Sequence, residues 1–167
     1  MAISVSAEAI VAELYALDIT HLINVPDTHQ RTLLAALARQ ERIRLLTAAT
    51  EDEAVGINAG LYVGGQRPIL SIQQTGLLAA MNTIKGIALD GRMPTCMLVG
   101  LFGRDVTKPA RENTARTVHL IEPTLATWGI AAFPLEGPDD LPQIAAAYRH
   151  SLEHRGPAVV LVGAPTA

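Results

Sequence analysis

The sequence predicts an α/β fold, a single domain over residues 1–167 on a parallel sheet of about six strands with helices on both faces. Three observations carry that reading. Apolar runs of roughly four to six residues alternate with stretches of helical periodicity from one end of the chain to the other. The composition is 49% hydrophobic and 17% charged, as strands covered on both faces require. The length of 167 residues suits one domain, and no low-complexity linker or internal repeat divides it.

Residues 6–17 (SAEAIVAELYAL) place apolar side chains at helical spacing behind Ser6, an N-cap residue, with Glu8 and Glu13 facing water. Residues 21–26 (HLINVP) form a short apolar run ended by proline, the pattern of a buried strand. Residues 32–40 are helical by propensity, and 43–46 give a second strand. Residues 51–62 (EDEAVGINAGLY) predict a helix whose Ala54, Ala59 and Gly60 allow close packing against another helix. Gly64, Gly65 and Pro68 mark a turn into a third strand over 68–72. One helix is expected over 77–89, ending at Leu89-Asp90 with Gly91 as its glycine cap. A strand over 95–99 (TCMLV) and a polar loop over 101–116 follow. A helix over 119–128, a strand over 130–135, an amphipathic helix over 139–154 and a strand over 158–162 (AVVLV) complete the pattern.

The net charge of −3 lacks the basic field of a nucleic-acid binder. Cys96 is the only cysteine, which excludes an internal disulfide and a cysteine metal cluster. No apolar run reaches the roughly 18 residues of a membrane span, and the amino terminus lacks a basic segment followed by an apolar one. A cytoplasmic protein acting without membrane or nucleic acid is the expectation.

Ligands of open α/β sheets bind outside the carboxyl ends of the strands, so the segments 25–30, 47–53, 73–78 and 100–111 carry the candidate chemistry. Thr50 and Glu53 match a capping box, and three acids in a first turn complement the helix dipole. That account leaves Glu51 without a structural task. Gln73-Gln74-Thr75-Gly76 either lines a pocket or caps the next helix through Thr75. Asp27-Thr28-His29-Gln30 reads first as an Asx or capping turn into the following helix. His150 and His154 have a metal-ligand spacing but no third ligand nearby, and Cys96 lies mid-strand as a buried, inert thiol. The glycines of 60–65 match neither a P-loop nor a dinucleotide fingerprint.

The run Thr50-Glu51-Asp52-Glu53-Ala54-Val55-Gly56-Ile57-Asn58-Ala59-Gly60-Leu61-Tyr62 resembles the glutamate motif of thiamine diphosphate enzymes, with Glu51 and Gly60 keeping the family spacing. Asn24-Val25-Pro26-Asp27-Thr28, Ile72-Gln73-Gln74-Thr75-Gly76-Leu77, Asn82, Met93-Pro94-Thr95-Cys96-Met97-Leu98-Val99 and Glu122-Pro123-Thr124-Leu125 extend the likeness in order over nearly the whole chain. Together they resemble the pyrimidine-binding domain of sulfopyruvate and phosphonopyruvate decarboxylases, particularly the separate α subunit of two-subunit forms. Two departures stand out. The family's serine-glycine-leucine-glycine-asparagine stretch reads Thr75-Gly76-Leu77-Leu78-Ala79 here, a less polar version. The Gly-Asp-Gly with a downstream asparagine that holds magnesium and diphosphate in the other domain is absent from the sequence.

The resemblance implies a lyase subunit using thiamine diphosphate and Mg2+ to decarboxylate a 2-oxo acid, with the metal held by a β subunit in a heterotetramer or larger assembly. It implies Glu51 beside the cofactor pyrimidine and Gln73, Gln74, Thr75, Gly76 and Asn82 as further cofactor contacts. Asp27, Thr28 and His29 are expected at the substrate, with His29 relaying protons. Arg104 and Lys108 are expected to hold a second substrate anion. No metal ligand is assigned to this chain. A carboligating, acetolactate synthase-like subunit and a non-catalytic regulatory subunit are the other readings of the same pattern.

Overall fold

The computed structural model describes residues 3–167. Ser6 opens helix α1 (Ala7–Ala16) by accepting a hydrogen bond from the Ala9 amide, and Ile10, Val11 and Leu14 bury its inner stripe. Strand β1 (His21–Asn24) follows, then α2 (Arg31–Leu37), β2 (Arg44–Thr47), α3 (Glu51–Val63) and β3 (Pro68–Gln73). Beyond β3 come α4 (Gln74–Ala79), a single turn α5 (Met81–Thr83) and a π-helical stretch, Ile84–Asp90. The chain continues through β4 (Thr95–Gly100), α6 (Arg116–Thr127), β5 (Ala131–Leu135), α7 (Pro142–His154) and β6 (Pro157–Val162).

The six strands are all parallel and ordered β2-β1-β3-β4-β6-β5. Because side chains alternate along each strand, the sheet builds two cores. Leu22, Ile69, Cys96, Leu98, Val160 and Val162 meet α1, α2 and α7 on one face. Ile23, Leu70, Ile72, Met97, Val99 and Leu161 meet α3, α4, the π-helical stretch and α6 on the other. Strands β4 and β6 are buried along their whole length, which is why they read as unbroken apolar runs. Each fully buried Leu or Val contributes roughly 1.5–3 kcal/mol of burial free energy. The strand order reverses twice, between β1 and β3 and again among β4, β5 and β6. Each reversal opens a crevice at the carboxyl edge.

Several expectations need correction in detail. The helix expected over 77–89 starts at Gln74, breaks at Ala80 and closes as a π-helix. Gln73 is its N-cap, and the Thr75 hydroxyl donates to Gln73 Oε1 instead of capping. Gly91 is at the C-cap with φ −74°, and the left-handed turn falls on Arg92. Gly91 is small for another reason: a Cβ there would lie 2.5 Å from the Ile87 carbonyl. The loop over 101–116 contains a 3-10 turn at Ala110–Glu112, and α6 starts at Arg116 and runs through Pro123. In the segment 139–154, a 3-10 turn (Pro138–Asp140) precedes the helix, which starts at Pro142. The capping box is shifted: Thr50 Oγ1 accepts from the Glu53 amide, but Glu53 accepts from the Ala49 amide (2.6 Å), not that of Thr50.

Candidate active site

The β1/β3 crevice is organised by Asp27. Its Oδ1 accepts from the His29 amide (2.8 Å), the Asx turn expected there, and from Gln73 Nε2 (3.1 Å). Its Oδ2 accepts from Gln30 Nε2 (3.0 Å). Gln30 is fully buried, and the same nitrogen faces the carbonyls of Ile72 and Leu98, both at 3.2 Å. Asp27 is only 3% exposed, and among the described residues no cation lies within ion-pair distance of it. Neutral N–H groups alone hold the carboxyl. Gly100 makes this possible, since a Cβ at that position would come within 2.1 Å of Asp27 Oδ2.

His29 turns its ring toward the carbonyls of Val162, Gly163 and Ala164. Its Nε2 is buried without a hydrogen-bond partner. Burial holds its pKa below the ordinary value, against the opposing pull of Asp27 and those carbonyls. Thr28 is exposed and lines, with Pro26, Asp27 and Arg31, an open cleft of about 260 Å3.

Glu51 is the first residue of α3, directly behind the Thr50 cap. Its half-buried side chain lies across Gly76, where a Cβ would come within 1.9 Å of Oε1. Glycine at this position gives the carboxylate its resting place. Among the described residues nothing pairs with or donates to that carboxylate, whereas Glu53 caps Ala49 and Asp52 accepts from Thr83 Oγ1 (2.5 Å). The three acids of the first turn thus divide into two that fasten the fold and one that is left with a free acceptor.

The glutamines are structural in this arrangement. Gln73 bridges Asp27 and Thr75. Gln74 is 1% exposed, donates to the Phe102 carbonyl (2.8 Å) and Thr117 Oγ1 (3.2 Å), and accepts from the Phe102 amide (3.0 Å). It clamps α4 to the loop after β4 and to α6. Asn82 is exposed on α5, on the chain that leads away from Gln74.

Arg104 does not present a free guanidinium. Its side chain is 4% exposed, its Nε and Nη2 donate to Glu136 Oε1, and its Nη1 donates to the carbonyls of Asp105 (2.5 Å) and Lys108 (2.6 Å). It lies beside Gly163, at the second crevice rather than with Asp27. Lys108 pairs with Asp105 at 3.1 Å, and hydrogen bonds from Thr107 and Lys108 hold the Asp105 carboxyl down at about 2. Asn113, buried in the same loop, accepts from the Asp105 amide and donates to the carbonyls of Pro109 (3.0 Å) and Ala110 (3.3 Å). The rings of His150 and His154 stack at 3.9 Å, and burial raises the Cys96 thiol pKa well above its ordinary range. Sequence reasoning missed Gln30, Gly100, Glu136 and Asn113. Only Gln30 had a local signal, three residues after Asp27 and at the head of a helix.

No family model matches the chain. It is 28% identical over 86 residues to the sulfopyruvate decarboxylase subunit alpha of Methanocaldococcus jannaschii, covering 52% of this chain and 51% of that one. It is 27% identical over 154 residues to the phosphonopyruvate decarboxylase of Streptomyces viridochromogenes, covering 90% of this chain and 38% of that one. The sulfopyruvate decarboxylase subunit alpha of Methanococcus maripaludis matches at 24% over 98 residues, 59% of each chain. The chain thus spans about half the length of the curated relatives it matches. Among solved structures, the benzoylformate decarboxylase of Polynucleobacter necessarius superposes with a TM-score of 0.71 at 18% identity, over 95% of this chain and 29% of that one. The fold is therefore that of a domain of such a decarboxylase, and the resemblance carried by the sequence motifs is to proteins of this kind.

Proposed function

We propose that the chain is the pyrimidine-binding part of a thiamine diphosphate-dependent 2-oxo acid decarboxylase of the sulfopyruvate/phosphonopyruvate kind. A second, β-type chain completes it with the diphosphate and Mg2+ sites. The observation that carries this reading is the Glu51 carboxylate, half-buried over Gly76 and without a partner. The site fits the group: a lone carboxylate acceptor, seated in the space that Gly76 leaves and bonded to nothing else among the described residues, suits a protonated heterocyclic nitrogen. When bound, the cofactor supplies the electron sink that lets a 2-oxo acid lose carbon dioxide.

The chain's own residues then have separable tasks. Glu51 would hold the pyrimidine by accepting a hydrogen bond from it, and its charge would favour the protonated ring in a cleft closed to water by the partner. Gly76 leaves room for the Glu51 carboxylate, and Thr75 and Asn82 are the exposed polar side chains that α4 and α5 offer to the cofactor. Gln73 and Gln74 hold the surrounding loops in place rather than touching the ring. His29 is the proton carrier, kept neutral near pH 7 by burial. Asp27 fixes the turn that bears His29, with Thr28 on the exposed side. Arg104 acts as the anchor of its loop, which leaves half-exposed Lys108 as the candidate for a second substrate anion.

The test is carbon dioxide release from a panel of 2-oxo acids by this chain with and without its β-type partner. Turnover only in the mixture, dependent on thiamine diphosphate and Mg2+, supports the proposal. Robust turnover by the isolated chain, or none in a stable complex over the whole panel, contradicts it.

A further inference from the structure

A separate cleft of about 650 Å3 opens at the amino-terminal edge of the sheet, across the molecule from Glu51 and Asp27. Three helical segments end on it, and each turns out through a left-handed residue. These are Arg92 (φ 54°) after the π-helical stretch, Gly129 (φ 68°) after α6 and Arg155 (φ 51°) after α7. Glycine adopts this conformation without strain, and α6 uses it. Arginine adopts it against the clash of its own Cβ with the backbone. Among the described residues the remaining non-glycine case is Asp18, of a type that tolerates the conformation. Both strained arginines therefore border one cleft. The Thr95 amide donating to the Gly156 carbonyl (3.1 Å) holds the two exits side by side.

The formal side-chain charges of the cleft are unbalanced, although three helix C-termini set partial negative charge beside the arginines. Among the described residues no carboxylate lies within ion-pair distance of Arg92 or Arg155. The acid in the lining, Asp90, is already paired with Lys85 at 2.6 Å. His150 and His154 add a stacked pair of imidazole faces, and Ile130 belongs to an apolar floor. A cation beyond a helix C-terminus does complement the helix dipole. That accounts for a positive charge near each end, but not for arginine in a backbone conformation that suits glycine, twice, around a shared cavity.

We infer that this cleft binds a small organic dianion, its charged group gripped by Arg92 and Arg155 and its body resting on the histidine faces and apolar floor. The volume lies within the range of small-molecule sites, roughly 300–1,000 Å3. Guanidinium pairs suit phosphate and carboxylate oxygens alike, so the ligand is either a phosphate monoester, held through its one phosphate, or a dicarboxylate, held through its two carboxylates.

The test is calorimetric titration of the full chain with AMP and, separately, with succinate, at ionic strength matched by sodium chloride. The variants are Arg92→Gly, Arg155→Gly and their combination, which keep the left-handed turns while removing the cations. Saturable binding of either probe is expected, weakened about tenfold by each loss of a charged hydrogen-bonding partner, with melting temperatures at or above that of the parent. Tighter AMP binding assigns a phosphate ligand; tighter succinate binding assigns a carboxylate. Glu51→Gln is expected to bind as the parent does, which separates this site from the proposed active site. Absence of saturable binding with both probes, or parental affinity in the double glycine variant, overturns the inference.

Discussion

Gly76 and Glu51 show how one missing Cβ determines where a carboxylate rests. Gly76→Ala would push its methyl into the Glu51 carboxyl, the far end of a flexible side chain, so the protein is expected to fold with a near-parental melting temperature. If the proposed decarboxylase assembly forms, its activity is expected to fall by about 10²–10³, as for loss of an aligned electrostatic contact. A variant with parental turnover would mean that the resting place of Glu51 is irrelevant. His29 makes a different prediction, about pH. Its folded pKa is lowered from the ordinary 6.5, so below pH 6.5 the unfolded chain takes up a proton that the native one refuses. Stability from this group is present above 6.5 and is lost as pH falls toward the folded value. His21 and His150 shift in the same direction, so His29→Asn is expected to flatten the decline in melting temperature between neutral pH and pH 5 only in part. An unchanged slope would show that His29 is not held neutral by the fold. The resemblance put both residues at the site, but the physical reason for each was not readable, because it depends on what stands opposite. A glycine two positions into a helix and a histidine after an Asx turn look ordinary until Glu51 and the carbonyls of Val162, Gly163 and Ala164 are seen.

Helix α3 carries Glu51 at its start and an exposed glycine face along its outer side. Its start was readable: Thr50 caps, the acids fill the first turn, and Ala54, Val55 and Asn58 are buried. Asn58 Nδ2 ties it to the Pro94 carbonyl at 3.1 Å. Its outer side carries Gly56, Gly60 and Val63, all exposed, and a Cβ at either glycine would meet nothing within 4 Å. Gly56→Ala and Gly60→Ala are therefore expected to stabilise the isolated chain, each by about 0.4–1 kcal/mol. Gly60→Trp is expected to leave the isolated chain folded but weaken association with the partner. Equal partner affinity, read by calorimetry, would place the interface elsewhere. The element after β3 was much less readable. Apolar periodicity over 77–89 is genuine, but a one-residue slip in periodicity separates an α-helix from a π-helix, and no glycine or proline marks the break at Ala80. The start of α6 was hidden for a different reason: Ala115 caps it without a side-chain hydrogen bond, and Arg116 and Thr117 continue the polar composition of the loop before them.

At the scale of the molecule, the parallel sheet was readable because β3, β4 and β6 are short, apolar and separated by helices. The strand order was not. Nothing local says that β6 inserts between β4 and β5, yet that insertion brings Glu136, Gly163 and Arg104 together and leaves Asp27 and Gln73 to the other crevice. The motif spacing pointed to Glu51, and the fold adds the reason it is available: its neighbours Asp52 and Glu53 are bonded to the protein and it is not. The decisive measurement is exchange of the C2 proton of thiamine diphosphate in the proposed complex of this chain with a β-type partner, comparing the parent with Glu51→Gln and Glu53→Gln. The amide keeps the size and shape of Glu51 but removes its charge, and helix initiation retains Thr50 and Glu53, with only about 0.3–1 kcal/mol of dipole stabilisation lost. Exchange is expected to slow by about 10²–10³ in Glu51→Gln and to stay near the parental rate in Glu53→Gln. Parental exchange in Glu51→Gln, with slowing confined to Glu53→Gln or absent from both, would contradict the account.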